Sequence, residues 1–526
     1  MAGTRRVERL LSFWAAWPWW AIPALLALLL TLNFLDPFIG DWDGIDYTML
    51  SLAGYPSSMA LGRNLFIFGN HALYEFAHTL FGVTPEHAYL LFKYAVVAQV
   101  PLAVIACWVL ARDVSASVYT ATLAALFVVC SPIFVLYGGQ VMTDVPSLLI
   151  LTVALVVHLR GIQQERVGLV LFGAALMGLG VNLRETVAFY LPWLVIAPFA
   201  LGWRLRRREL AFVTLSLVIF LVLGLGWFGY WFLTDPHYRS IWHGWRESLL
   251  QESTRHPVAL RNAIPYLMYF FISAPLIFLA FPFAVFNEWR QRKLSPLLLL
   301  GFIGLFADLL LFLNYSTAVN WRYFLTGLPA LAPLSANYLI RRLTALTGSA
   351  RLSFAACGVA LGALAATFTI FIQPVSREFI QRRAMSREYK EQLVNVPRDA
   401  VMISGSQTIA VTYWKAIGRG EWKTIGTGGG WPGIRLVQVI EDHLAQGHRV
   451  FLDSDPRWWL PCSWQSQEIP AIVALEQRFR FRKVTESIYE IRAATDDTAH
   501  DEPNLRRLLP ENRPGDTKKC PPGSQL

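Results

Sequence analysis

Charge and cysteine are the two things this sequence has little of. Only 16% of its 526 residues are Asp, Glu, Lys or Arg, where a soluble globular chain carries about 25%, so an ordinary soluble enzyme does not fit. The 55% hydrophobic content excludes a disordered chain. Cysteine occurs five times. Cys107, Cys130 and Cys357 sit in apolar runs, where small hydrophobic packing is the default, and Cys462 and Cys520 read as unbridged. There is no HExxH and no zinc-type Cys/His cluster, and no nucleophilic triad can be assembled. The Gly-rich stretch GTGGGWPG at residues 426 to 433 lacks the Lys-Ser/Thr that completes a phosphate loop, so no nucleotide cofactor is expected. Internal repeats of the solenoid or transporter kind are not visible.

What is present is apolar length, and it is unevenly spread. Residues 1 to 376 hold 24 Lys/Arg and 17 Asp/Glu, about 11% charged, while the last 150 hold 22 and 19, about 27%. Two chemically different bodies are joined there. Eleven stretches free of acidic and basic side chains follow one another in the first body: Leu10 to Leu35, Tyr94 to Ala111, Val114 to Thr143, Val145 to Leu159, Val167 to Leu183, Thr186 to Trp203, Leu210 to Thr234, Asn262 to Asn287, Leu294 to Ala307, Tyr323 to Ile340 and Leu352 to Ser376. About 20 apolar residues span a bilayer, and backbone amides in lipid must bond internally, so each is read as a helix. The first stretch, 26 residues long, exceeds the apolar region of a secretory signal, about 7 to 15 residues, and no small-x-small cleavage site follows it, so it reads as an uncleaved helix.

Basic residues stay on the cytoplasmic side of short connections. With the amino terminus inside, sixteen basic residues fall on inner connections, including Arg204, Arg206, Arg207 and Arg208. An odd number of crossings then puts the carboxyl-terminal body outside. The net charge of +10 is largely this cytoplasmic clamp and calls for no nucleic acid. The outward connection from Asp36 contains Leu61 to Phe81, aromatic and weakly amphipathic, which suits the membrane interface. Beyond Gln373, strands are expected at Val401 to Ser404, Val450 to Asp453, Phe481 to Val484 and Ile488 to Ile491, with helices at Ile434 to Gln446 and Ile469 to Arg478. The expected fold class is an all-α polytopic membrane protein of about 11 transmembrane helices with a carboxyl-terminal extracytoplasmic α/β domain. Its domains are 1–375, 376–493 and a disordered tail at 494–526.

Candidate chemistry lies at the outer ends of the helices. DPFIGDWDGIDY, Asp36 to Tyr47, places four carboxylates, Asp36, Asp41, Asp43 and Asp46, in eleven residues beside the first helix. Such carboxylates serve as a general base, with or without a hard cation, unless the loop is simply solvated. Asp144, in MTDVPSLL, interrupts a long apolar run and must be wet, paired or employed, or it starts a helix ahead of Pro146. In NLRETVAFYLP, Arg184 and Glu185 neutralise each other, or Arg184 binds an anion such as phosphate with its planar fork. Arg322 and Tyr323 open another outward helix. His71, in FGNHALYEF, is either a packing residue or a metal ligand. Asp308 is an acid inside an apolar run, as helix–helix glue or beside a cavity, and His158 near an inner end reads as snorkelling.

In these motifs, over roughly residues 15 to 375, the chain resembles the C-type glycosyltransferase superfamily, specifically the group with protein O-mannosyltransferases and lipid A aminoarabinose transferases. That group has an acidic motif in its first outward loop, often an Asp followed four residues later by Tyr; Asp43 and Tyr47 match, and Asp41 completes an Asp-x-Asp pair. FGNHALYEFAHTLFG is similar to its interfacial stretch but lacks the usual prolines after His71. Asp144 matches its second outward acid, and Arg322 with Tyr323, ahead of Pro329 and Pro333, its later Arg-Tyr. The resemblance implies a sugar donor on a polyprenyl phosphate, a lipid, glycan or protein acceptor, and inversion by direct displacement. Asp43 is then the base, with Asp144 or Asp41 sharing the site and a divalent ion as an option, ligated by Asp43, Asp144 and His71. Arg184 or Arg322 stabilises the departing phosphate, and Asp46, Tyr47, His71, Glu185 and Tyr323 complete the substrate-binding set. The competing class is a transporter or flippase of lipid-linked glycans, which calls for charges near the midplane, whereas nearly all candidates here sit at the outer ends, Asp308 being the main exception.

Overall fold

The computed structural model describes residues 18–33, 42–57, 61–255, 271, 274–290, 294–314, 321–363, 392–404, 411, 414–426, 433–455, 469–496, 501 and 503–508. The helices in chain order are α1 (Ala21–Asn33), α2 (Trp42–Ala53), α3 (Asn64–Phe81), α4 (Ala88–Ser115), α5 (Val118–Val129), α6 (Pro132–Gly138), α7 (Asp144–Gln163), α8 (Val167–Val181), α9 (Leu191–Ala200), α10 (Arg207–Thr234), α11 (Pro236–Arg255), α12 (Pro275–Arg290), α13 (Pro296–Asn314), α14 (Leu328–Thr347), α15 (Ala350–Ala363), α16 (Gly433–Ala445) and α17 (Ile469–Arg478). The chain forms two units. One comprises Met1–Pro37, Ala53–Leu80 and Leu90–Arg377; the other comprises Phe38–Leu52, Phe81–Tyr89 and Glu378–Leu526.

The first unit is a helical membrane body. Hydropathy predicts eleven crossings; among the described residues three helices have the length and apolarity for one, Pro85–Ser115, Asp144–Gln163 and Arg207–Thr234, and up to 5 do if each bent pair counts as one span. Ala21–Asn33, Val167–Val181, Glu185–Ala200 and Pro296–Leu310 are apolar but only 10–17 residues long. The expected span Val114 to Thr143 is not one helix. It bends by 65° between α5 and α6, because Pro132 has no amide proton to continue the ladder and holds Ser131 in an extended conformation. Most of the expected span Asn262 to Asn287 before α12 lies outside the described residues, as do the ends of the first and last.

Close helix packing in this unit depends on missing side chains. A Cβ on Gly173 would stand 2.7 Å from the Cβ of His158, and one on Gly178 would stand 2.7 Å from the Phe220 carbonyl. Small residues therefore let α8 lie against both α7 and α10, the means by which helices associate in lipid. His158 does not snorkel: it is fully buried, facing Gly173 and Trp193, because α8 covers it. The expected interfacial stretch Leu61 to Phe81 becomes α3, which buries Phe66, Ile67, Tyr74 and Ala77 and exposes Phe76 and Leu80. Phe68 stacks on Trp227 and Trp231 of α10 at 5.3 and 5.9 Å between ring centroids. Asp235 accepts from the Tyr55 hydroxyl at 2.8 Å and from the His237 amide, so it caps α11.

Asp308 now has a structural account. A Cβ on Gly327 would lie 2.5 Å from both carboxylate oxygens of Asp308, so the acid of α13 sits directly on the residue that begins α14. It is helix–helix glue by close packing.

The second unit carries a five-stranded sheet of β1 (Val401–Ser404), β2 (Lys423–Gly426), β3 (Val450–Asp453), β4 (Arg480–Lys483) and β5 (Ile488–Arg492), in the order β2-β1-β3-β5-β4. β1 runs parallel to β2 and β3, and β5 runs antiparallel to β3 and β4. The expected strands and helices are in place, shifted by a residue in β4 and α16, whereas β2 was not expected: KTIG is too short to show alternation. Ile45 of α2 packs on Ile417 together with Met49, Leu52 and Trp414. Leu505 and Leu508 are fully buried in the core of this unit, so the stretch to 508 is not part of a tail; 509–526 lie outside the described residues.

Glu490 is the electrostatic centre of the sheet. Its side chain is 2% exposed and meets Arg449 at 2.7 Å, Arg482 at 2.5 Å and Arg492 at 2.9 Å. Burial pushes its carboxyl up, but the hydrogen bonds and charges of Arg449 and Arg492 outweigh it and hold the group below its ordinary value. Its contribution to stability is therefore present above the unfolded value near 4.5 and is lost as pH falls through the lower folded value.

Three outcomes follow for measurements on the full chain. Glu490→Gln is expected to cost about 1–2 kcal/mol, reduced by the partial exposure of the arginines, read as lost amide-exchange protection in β3 and β5. Acidification through and below the ordinary carboxylate range should lower that protection in the wild type far more than in the variant. Gly327→Ala should cost about 1–3 kcal/mol in detergent, with Asp308→Ala in the same chain recovering part of it.

Candidate active site

α7 and α8 form a hairpin through a short turn at Gln164–Arg166, so the first turn of α7 faces the last turn of α8. After α8 the chain turns through Asn182 and Leu183, leaves Arg184 extended at φ −157° and ψ 130°, and enters a 3-10 turn, Glu185–Tyr190. This places Arg184 on Asp144: its Nη1 pairs with Asp144 Oδ1, and each side chain is 1% exposed. Thr143, not Asp144, is the residue flanking α7, and its hydroxyl makes no cap to the helix.

Around this pair stand four more polar side chains. Arg63 donates to the Thr143 hydroxyl at 3.1 Å and to Glu185 at 3.4 Å. It does so from a left-handed backbone, φ 47°, directly after Gly62 at φ 90°, a conformation that costs a non-glycine residue roughly 1–2 kcal/mol. Arg322 and Tyr323 lie on a second 3-10 turn, Trp321–Thr326. The Tyr323 ring receives the Arg184 guanidinium at 4.9 Å and that of Arg322 at 5.4 Å, and Arg322 also lies 5.9 Å from the Tyr137 ring. Tyr190 ties the two 3-10 turns together by donating to the Thr326 carbonyl at 2.8 Å.

Among the described residues the cluster holds Arg63, Arg184 and Arg322 with Asp144 and Glu185, all buried except the half-buried Glu185. All three guanidinium groups exert Coulombic attraction on Glu185. Two donors of Arg184, Nε and Nη2, are buried with no hydrogen-bond partner among the described residues, as is Asp144 Oδ2. Orphaned guanidinium donors are costly, and buried donors without partners are suited to taking up an anion, most readily a tetrahedral oxyanion met by the planar fork.

The fold thus brings together Asp144, Arg184, Glu185, Arg322 and Tyr323. Arg184 and Glu185 do not neutralise each other; each acid is paired with an Arg from elsewhere. Asp43, Asp46 and Tyr47 are carried by α2 in the second unit, where Tyr47 is fully buried and both acids are partly exposed. Asp41 lies outside the described residues. His71 packs its ring on Gly54, whose φ is +63° and where a Cβ would stand 3.1 Å from Nε2. Arg63 is the member that sequence reasoning missed. It belongs to the same class as Arg184, a lone Arg beside an apolar helix, but the aromatic and weakly amphipathic character of Leu61 to Phe81 hides it.

Arg184 engages Asp144 Oδ1, and Oδ2 is the carboxylate oxygen left for any divalent ion. Among the described residues no group of three or more His, Cys, Asp and Glu side chains converges on one point.

Residues 70–228 match the family model of dolichyl-phosphate-mannose-protein mannosyltransferase, a stretch that contains His71, Asp144, Arg184 and Glu185. The structure is similar to that of ArnT from Cupriavidus metallidurans bound to undecaprenyl phosphate, with a TM-score of 0.59 at 14% identity over 93% of this chain and 100% of that one. The chain shares the fold of ArnT. The apo Archaeoglobus fulgidus oligosaccharyltransferase is also similar, with a TM-score of 0.53 at 11% identity over 92% of this chain and 76% of that one. No curated protein matches by sequence. The resemblance read from the motifs therefore holds at the level of family model and fold.

Removing one member of the buried pair should be worse than removing both. Arg184→Met is expected to destabilise the membrane body by about 3–5 kcal/mol by leaving Asp144 unpaired, and adding Asp144→Leu should recover much of it. Thermal unfolding of the four proteins in detergent reads this as a non-additive cycle.

Proposed function

We propose that this chain is a membrane glycosyltransferase moving a monosaccharide from a polyprenyl-phosphate donor to an acceptor hydroxyl at the outer face of the membrane. The observation that carries this reading is the cluster of Arg63, Arg184 and Arg322 around Asp144, Glu185 and Tyr323, in which two buried guanidinium donors of Arg184 have no hydrogen-bond partner among the described residues, inside an apolar helical body. The match to a lipid-phosphate-mannose transferase family over residues 70–228 supports it, as does the likeness to a transferase solved with a polyprenyl phosphate.

In this reaction the acceptor oxygen attacks the anomeric carbon, the bond from that carbon to the phosphate oxygen breaks, and the configuration inverts. The leaving lipid phosphate gains negative charge as the bond breaks. Arg184 and Arg322 supply fixed positive charge where it develops, and because they are already desolvated they need little reorganisation. Tyr323 orients both guanidinium groups through its ring. Asp43 takes the acceptor proton as general base, and Asp46, Asp41, Tyr47, His71 and Glu185 complete the substrate-binding set. The amino terminus lies in the cytoplasm and the second unit outside. Transport of lipid-linked glycans has less support, since Asp308, an acid within an apolar helix, is packed against Gly327.

Purified chain in detergent, given polyprenyl-phosphate sugars and candidate acceptors, tests the proposal. Asp43→Asn is expected to lower turnover by about 10²–10⁴-fold at unchanged unfolding temperature. Arg322→Gln should lower kcat by about 10²–10³-fold. Donor turnover unaffected by either substitution would end the assignment.

A further inference from the structure

A second polar hollow lies at the opposite end of the α7–α8 hairpin, about one 20-residue helix, or roughly 30 Å, from Asp144. It has a volume of about 350 Å³ and is lined by Glu165, Trp203, Arg204, Arg206, Arg208 and Glu209, with Val167, Gly202 and Phe212. Two backbone features shape it. Glu165 turns the α7–α8 connection at φ 53°, and Gly202 turns the connection after α9 at φ 125°. Trp203 donates to the Ile162 carbonyl at 3.3 Å, which pins one connection to the other.

None of Arg204, Arg206 and Arg208 is paired with a carboxylate among the described residues, although Glu165 and Glu209 line the same hollow. Arg208 instead lies 5.4 Å from the Phe212 ring, and α10 begins here, adding its positive end. Three unpaired guanidinium groups, against two carboxylates, select an anion.

The helix above the hollow identifies which anion. α10 exposes Leu215, Val218, Val222 and Leu225 at 43, 48, 61 and 43%. Their spacing of three and four residues makes one apolar stripe that rises from the arginines along the helix. Leu205, between the arginines, is 76% exposed. A charged hollow of headgroup size at the foot of an apolar stripe matches an amphiphile with a phosphate head and acyl tails, and not a free ion.

We propose that this hollow binds the headgroup of an anionic phospholipid in the leaflet facing the Arg-rich end of the body, with its acyl chains along α10. The phosphate is met by Arg204, Arg206 and Arg208, Trp203 lies at the headgroup level as interfacial Trp does, and Glu165 and Glu209 accept from headgroup hydroxyls. The inference does not rest on the proposed transferase activity.

The test is lipid retention by the purified full chain, read by native mass spectrometry from mixed micelles of dioleoylphosphatidylglycerol and dioleoylphosphatidylcholine. The wild type should retain the anionic lipid in preference, and Arg204→Gln/Arg206→Gln/Arg208→Gln should lose about tenfold of that preference. The control Arg342→Gln/Arg351→Gln, which removes charge from another basic connection, should keep it. If the triple variant does not fold, Arg204→Gln and Arg206→Gln singly carry the test, each with about a twofold to threefold loss. Unchanged preference in the hollow's variants, or equal loss in the control, overturns the site. Displacement of the lipid by submillimolar inorganic phosphate overturns the lipid as its ligand.

Discussion

The membrane body depends on one contact, the ion pair between Asp144 and Arg184 inside an otherwise apolar fold. Neither charge would survive there alone, since an unpaired ion in low dielectric carries a desolvation cost that helix packing cannot offset. Their pairing requires α7 and α8 to stay in register as a hairpin, and that register depends on Gly173 and on the turn at Gln164–Arg166. It also fixes where Glu185 and the 3-10 turn after it emerge, and hence where Tyr190 reaches Thr326 and brings Arg322 and Tyr323 to the same place. Packing, electrostatics and the candidate chemistry meet in this pair.

The pair also explains a departure from ordinary stability. A buried Arg-carboxylate contact that leaves two guanidinium donors and a carboxylate oxygen unsatisfied is a poor use of charge if stability is the only aim. Arg63 adds to the strain, held in a left-handed conformation to reach Thr143 and Glu185. Such costs concentrate where a protein handles a charged ligand. By contrast, Asp308 on Gly327 and Glu490 among its three arginines are acids put to structural use, one packed on a helix start and the other joining strands.

Much of this was legible in the amino-acid order. The apolar runs announced the helical body, and the strands beyond Gln373 emerged within a residue of their expected ends, apart from the short edge strand β2. Asp144, Arg184, Glu185, Arg322 and Tyr323 stood out because charge in apolar surroundings is conspicuous. Other features were not legible. The bend at Pro132 was hidden inside a run free of charges, where hydropathy registers length and says nothing of the missing amide. Arg63 was lost in an aromatic context, and His158 looked like a snorkelling residue because sequence shows distance to a helix end but not what covers it.

The sequence by itself determined composition-driven properties: which segments avoid water, which end of the body is basic, and which few polar groups must find partners. These follow from solvation free energies that act residue by residue. Only the tertiary structure decided which partners they found. Arg63 and Glu185 lie 122 residues apart, and Arg184 chose Asp144 over its own neighbour Glu185, because side-chain reach of a few ångströms is set by how helices cross and not by their order along the chain.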